Sequence, residues 1–196
     1  MTKAELRVLY KNKRRTLSKD EVLSYSDKIF QNLIRAFDFK KGANVHVFLP
    51  IQKFKEVETL NFIEWCWKNE VNVYVPRMIG DSLLSMPYHD NTELELNSWG
   101  ISEPKIKHNE EYKHPKFDLV ICPLLYCDSL GNRVGYGKGF YDRLFIEINS
   151  DVIKVGVNYF APDELITDVD PFDVPLDYLT TTEETVSFGF ISKFKK

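Results

Sequence analysis

The chain has 196 residues, 43% of them hydrophobic and 28% charged, with a formal net charge of -3. That is enough chain for one domain with a substantial core, and the slightly acidic balance argues against general nucleic-acid binding, which leaves a basic footprint. No apolar run reaches the roughly 18 residues that a spanning helix needs, and the charged, amphipathic N-terminus is unlike a signal peptide.

Two helices are predicted first. Thr2-Lys3-Ala4-Glu5 and Ser18-Lys19-Asp20-Glu21 are capping boxes, in which hydroxyl and carboxylate satisfy each other's unpaired backbone N–H groups. The second helix repeats Val22, Ile29, Phe30, Leu33, Ile34 and Phe37 on one face until Gly42 breaks the pattern. Residues 45–49 read as a core strand ended by Pro50, residues 57–69 as a helix, and residues 71–75 as a second strand ended by Pro76. That order predicts a right-handed crossover and parallel pairing. From Gly80 to Pro115 the pattern is less regular, with an edge strand over 83–88. A third apolar strand covers 119–123, and a helical stripe follows at Tyr141, Leu144, Phe145 and Ile148. A fourth strand is expected at 152–157 and a short strand or hairpin at 178–190. The alternation predicts a single-domain α/β fold over residues 1–196, three-layer α/β/α with a mostly parallel central sheet. The three cysteines, Cys66, Cys122 and Cys127, have no metal-ligand spacing and fit reduced thiols in the cytoplasm. His46, His89, His108 and His114 show no metal spacing either, and the lysine-rich end, 193–196, reads as a solvated tail.

The segment 131–143, Gly-Asn-Arg-Val-Gly-Tyr-Gly-Lys-Gly-Phe-Tyr-Asp-Arg, falls between a strand and a helix. Ligands gather at that carboxyl edge of an open sheet. Alternating Gly135, Gly137 and Gly139 let the backbone approach a ligand closely, and N–H groups ahead of a helix make an anion site. The spacing is neither that of a P-loop nor that of a dinucleotide fingerprint. Glycine clusters alone are most often plain turns; Arg133 and Lys138 inside the run favour phosphate. Asp142 suits two roles equally, a first-turn cap or a magnesium ligand beside a triphosphate. In the first helix Lys3, Arg7 and Arg14 share a face, flanked by Lys11 and Arg15. By itself such a charge run reads as a solvated surface.

Together, Lys3-x-x-Leu6-Arg7 with Arg14 and the glycine-rich segment resemble the 5-formyltetrahydrofolate cyclo-ligase family. Supporting stretches are Phe48-Leu49-Pro50 leading to Glu56-Val57-Glu58-Thr59, Val75-Pro76-Arg77, Trp99-Gly100-Ile101-Ser102-Glu103-Pro104 and Asp173-Val174-Pro175-Leu176-Asp177. Between Ile51 and Glu58 the chain is longer than the family pattern, Phe140 stands where tyrosine is frequent, and Phe172 stands where histidine is often seen.

The resemblance implies ATP-dependent cyclisation of 5-formyltetrahydrofolate to 5,10-methenyltetrahydrofolate, with ATP and folate as partners and Mg²⁺ as cofactor. A monomer without nucleic-acid or membrane partners is expected. It places ATP against Lys3, Ala4, Glu5, Leu6 and Arg7, and against Arg133, Val134, Gly135, Tyr136, Gly137, Lys138, Gly139, Phe140 and Tyr141. Folate is placed against Arg7, Ile51, Glu58, Tyr136, Gly137, Lys138, Gly139 and Phe140. Arg133 and Lys138 are the expected catalytic cations, and Asp142 and Asp173 the magnesium-linked carboxylates. Two alternatives remain at this point, a sugar-phosphate isomerase or transferase and a non-catalytic nucleotide-binding protein tied to RNA, because fold does not fix function.

Overall fold

The computed structural model describes residues 1–106 and 112–189; His108, Phe190 and the 193–196 tail lie outside the described residues. Helices α1 (Lys3–Thr16) and α2 (Lys19–Ala36) both begin with the expected reciprocal capping boxes, at Thr2–Glu5 and Ser18–Glu21. Strand β1 (Asn44–His46) leads through a 3-10 turn (Gln52–Phe54) to α3 (Leu60–Lys68), β2 (Asn72–Ile79) and β3 (Ser82–Pro87). A hairpin of β4 (Leu94–Leu96) and β5 (Ser102–Pro104) comes next, then β6 (Leu119–Pro123) and a small ribbon, β7 (Tyr126–Cys127) with β8 (Arg133–Val134). Helix α4 (Phe140–Glu147), β9 (Ile153–Val157), β10 (Tyr178–Thr180) and β11 (Thr185–Ser187) close the described chain.

The large sheet runs β11-β10-β9-β6-β1-β2-β3. Neighbours from β10 to β2 are parallel, and the two edge pairings are antiparallel. Period-two side-chain alternation sorts the sheet into two cores. Val45, Val47, Leu119, Ile121 and Val155 face α2 and α3, meeting Ile29, Leu33, Phe62 and Ile63. Val120 and Cys122 face the other way and pack with Leu144 and Phe145 of α4. The layers are those expected, with a mostly parallel sheet between helices. Helix α1 packs instead on the β7–β8 ribbon, where Leu6 and Tyr10 meet Tyr126, Val134 and Ile166.

β1 stops at His46, short of the expected 45–49 span, and two further boundaries differ from expectation for a tertiary reason. β2 continues through Pro76 to Ile79 and turns into β3. The ladder with β1 ends at Tyr74, and the bond from the Tyr88 N–H to the Val73 carbonyl turns odd-numbered β2 residues toward β3. The proline's missing N–H therefore faces a side where no strand awaits it. Helix α3 starts at Leu60, later than the periodicity suggests. The Glu58 N–H is taken by the Ser26 hydroxyl, and the Thr59 hydroxyl donates to the Phe48 carbonyl, which holds this entry segment against α2 and the sheet.

Candidate active site

β1, β2 and β6 carry their ends to one edge of the sheet. Phe48 and Leu49 beyond β1, Pro76 and Met78 in the second half of β2, and Pro123 at the end of β6 line a cavity of about 470 Å³. This is the edge where open α/β sheets take ligands.

One wall is the glycine-rich loop between β8 and α4. Gly137 and Gly139 stand at φ +91° and +66°, a region that glycine enters at little cost. Arg7 of α1 docks on this loop: its Nε donates to the Gly135 carbonyl at 2.9 Å, and a Cβ on Gly137 would touch its guanidinium at 3.5 Å. Lys3 pairs with Asp173, and Arg133 pairs with Asp142 at 2.6 Å while also bonding the Val174 carbonyl. Lys138 has no carboxylate partner among the described residues; its ammonium lies over the Trp99 ring, 5.1 Å from the centroid. The α1 charge run is thus not a solvated face. Arg14 is 2% exposed and donates to the Leu124 carbonyl and the Tyr136 hydroxyl, and Lys3 and Arg7 line the cavity.

The opposite wall is mainly apolar and carries two buried carboxyls, Glu56 and Glu103. Glu56 is 2% exposed; its Oε2 accepts from the Ile51 N–H at 2.8 Å, and its Oε1 is buried without a hydrogen-bond partner. Burial raises its pKa against the lowering pull of the Ile51 N–H, the Tyr136 hydroxyl and Arg14. The Tyr136 phenol is raised as well, by burial and then by the adjacent Glu56. Phe54, from the 3-10 turn, stacks on Tyr136 with ring centroids 5.0 Å apart. Trp99, Ile101 and Glu103 of the β4–β5 hairpin complete this side.

The structure gathers Lys3, Arg7, Ile51, Arg133, Gly135, Tyr136, Gly137, Lys138, Gly139, Phe140, Tyr141, Asp142 and Asp173 around the one cavity. Five other expected residues stand back from its lining. Leu6 and Val134 are buried in the α1 cluster, Ala4 is exposed, and Glu5 serves the capping box. Glu58 points elsewhere, accepting from Gln52 Nε2 at 2.7 Å, while Glu56 takes the place in the wall. A 3-10 turn at Gln52–Phe54 and the left-handed Lys55 separate Ile51 from this glutamate, and the resemblance implies Glu58 for the folate. Leu49, Phe54 and Glu56 are among the lining residues that sequence reasoning did not assign to the site. The signal for Glu56 was an acidic residue directly before buried Val57, in a stretch otherwise leading into a helix.

The two aspartates suit a hard cation. Asp142 uses Oδ1 for both Arg133 and the Val174 N–H, and Asp173 uses Oδ2 for both Lys3 and the Asp170 N–H. Each thereby keeps its other oxygen for a metal that takes few carboxylates and fills its shell with phosphate and water. Among the described residues no group of three or more His, Cys, Asp and Glu side chains forms a protein-only metal cage. The donor set fits magnesium carried on a nucleotide.

The fold and sequence that build this cavity are similar to those of proteins named for one activity. A 29% identical Aquifex aeolicus 5,10-methenyltetrahydrofolate synthetase superposes with a TM-score of 0.79, covering 100% of this chain and 97% of that one. A Mus musculus 5-formyltetrahydrofolate cyclo-ligase is 31% identical over 71% of each chain. One from Haemophilus influenzae is 28% identical over 76% of this chain and 80% of its own. The description of the 5-formyltetrahydrofolate cyclo-ligase family matches residues 1–182, from the α1 cations through the glycine loop to β10. With motif, cavity and near-complete coverage in agreement, the chain belongs to the 5-formyltetrahydrofolate cyclo-ligase family.

Proposed function

We infer that the family's reaction, ATP-dependent closure of 5-formyltetrahydrofolate to 5,10-methenyltetrahydrofolate with release of ADP and phosphate, runs in the cavity between the glycine loop and Glu56. The chain is an ATP-dependent carbon–nitrogen ligase by family. The observation that carries the site assignment is the division of the cavity into a cationic wall and a mainly apolar wall in which buried Glu56 has one unpartnered oxygen.

A formyl amide resists attack because its oxygen would leave as hydroxide. Transfer of the γ-phosphoryl group to that oxygen creates an imidoyl phosphate, and ADP departs. N10 then attacks the formyl carbon, loses its proton, and expels phosphate. Attack within one held molecule is effectively unimolecular. Phosphoryl transfer asks chiefly for positioning and charge neutralisation, which suits a wall of Lys3, Arg7, Arg133 and Lys138. Magnesium, held by phosphate oxygens with Asp142 and Asp173, would neutralise triphosphate charge.

On the other wall, Glu56, whose Oε1 has no partner in the protein, would accept from an N–H group of the pterin, a charge-assisted contact. Tyr136 and Phe140, both in the cavity lining, would flank the ring between the two walls. Residues 1–196 act as one catalytic domain in this reading, as a monomer on small-molecule substrates. The three buried, unbridged cysteines suit a cytoplasmic protein. No helix among the described residues is long and apolar enough to cross a membrane.

The test is direct: supply 5-formyltetrahydrofolate with Mg·ATP and measure methenyl product and ADP together. Equal yields are expected. ADP without methenyl product, or salt-sensitive RNA binding without turnover, would overturn the reading.

A further inference from the structure

The 3-10 turn at Gln52–Phe54 carries an aromatic ring to the cavity mouth instead of into a core. Phe54 belongs to none of the three hydrophobic clusters and stays 39% exposed. Its one aromatic neighbour among the described residues is Tyr136, stacked at 28°. A single exposed apolar side chain on a loose loop would need no explanation.

This turn is not loose. Glu56 accepts from the Ile51 N–H, and Gln52 donates to Glu58, bracing the turn from inside. Lys53 Nζ donates to the Trp99 carbonyl at 3.1 Å, tying the turn across the mouth to the β4–β5 hairpin. Lys55 Nζ donates to the carbonyls of Arg15 and Leu17, where α1 ends. Lys55 also stands at φ +47°, a left-handed conformation that persists in a β-carbon residue only where its surroundings over-determine it. Four side chains and a strained backbone thus hold in place one ring that contributes to no core. Such effort is explained if the ring's partner is a ligand.

We propose that Phe54 is a substrate-positioning residue that packs against a flat ring of bound 5-formyltetrahydrofolate, with Lys53 and Lys55 as the struts that hold it there. The inference rests on the cyclo-ligase reading above. It adds a contact from outside the glycine loop and gives Glu58 a role, that of brace for the turn.

Steady-state kinetics of Phe54→Ala, Phe54→Tyr and Lys55→Met test it, with thermal melting to confirm folding. Phe54→Ala should raise the folate KM about tenfold, equivalent to ~1.4 kcal/mol and within the range of an aromatic pair, with kcat and the ATP KM nearly unchanged. Phe54→Tyr keeps the ring and should restore the wild-type folate KM. Lys55→Met, which frees the turn, should raise it about threefold, a smaller share of the same pair energy. A folate KM unmoved by Phe54→Ala, or an ATP KM rising in parallel, would overturn the proposal; the latter would make Phe54 a prop for Tyr136. Calorimetric titration with 5-formyltetrahydrofolate, without ATP, reads the contact independently of turnover. Wild-type binding with an equal Kd for Phe54→Ala defeats the Phe54 assignment alone, whereas no folate binding by the wild type defeats the functional reading beneath it.

Discussion

On the glycine-loop side the cavity presents Lys3, Arg7, Arg133 and Lys138 with Asp142 and Asp173; on the side of β1 and the 52–54 turn it presents Phe48, Leu49, Phe54 and one carboxyl, Glu56. The first wall keeps most of its cations occupied by carboxylates or carbonyls, because a half-buried charge left alone is costly. The second keeps its polar groups few, because each unpaired polar atom in an apolar wall costs free energy until a ligand meets it. A polyanion and a flat heterocycle ask for these two surfaces respectively. Phosphoryl transfer between them requires both to open on one space, which the carboxyl edge of the sheet provides.

Separating the two walls by mutation is the sharpest way to test this division. Lys138→Ala should have the largest effect, a loss of about 10²–10³-fold in kcat, the scale of removing one preorganised donor from a developing charge. Its melting temperature should stay put, since Lys138 is exposed and touches chiefly the Trp99 ring; unchanged turnover at saturating Mg·ATP would remove it from the phosphate wall. Glu56→Gln should raise the folate KM by about 10–100-fold, the range of a lost hydrogen bond to a charged group. The ATP KM should hold nearly constant, and if both KM values climbed together the two walls would be one.

Asp142→Asn is expected to increase the magnesium concentration for half-maximal rate by about tenfold, roughly one charge-assisted contact. Should it lower only the melting temperature, Asp142 is a helix-start cap joined to Arg133 and nothing more. The smallest effect concerns a group in neither wall. His46 is fully buried on β1, edge-on to Tyr141, with neither ring nitrogen hydrogen-bonded. Burial, then the nearby His114, pulls its pKa down to about 3. Between the ordinary imidazole value and that one the unfolded chain binds a proton that the folded protein refuses, so acid removes stability. His46→Leu should abolish that contribution, about 1 kcal/mol between pH 6.5 and 5.5 in chemical denaturation. An unaltered acid slope would show that His46 is hydrated in solution.

The cationic wall was far more legible in the sequence than the apolar one. Arg133, Gly135, Gly137, Lys138, Gly139 and Asp142 lie within a few residues of one another, so the glycines with the two cations among them favour a phosphate loop from sequence. Glu56 was hidden by the longer turn before it, and Glu58 took its place in the expectation. Phe54 could not be picked out either: an aromatic beside two lysines has no periodicity, and its meaning comes from the five bonds that hold its turn. The α1 charge run misled in the opposite direction. Its spacing is that of a solvated face, yet Arg14 is buried under Tyr136.

What the sequence determined alone is local: the two capping boxes, the apolar stripes that make α2 and α4, the strand alternation that divides two cores, and the glycine turn. These depend on residues within a turn or two of each other, where backbone geometry fixes what meets what. Only the tertiary structure decided that Arg7 rests on Gly135, 128 residues away, that Glu56 and not Glu58 faces the cavity, and that β2 passes through Pro76. Those outcomes turn on burial and on hydrogen bonds between distant segments, and a side chain's desolvation is set by whichever neighbours the fold brings, which no local pattern encodes.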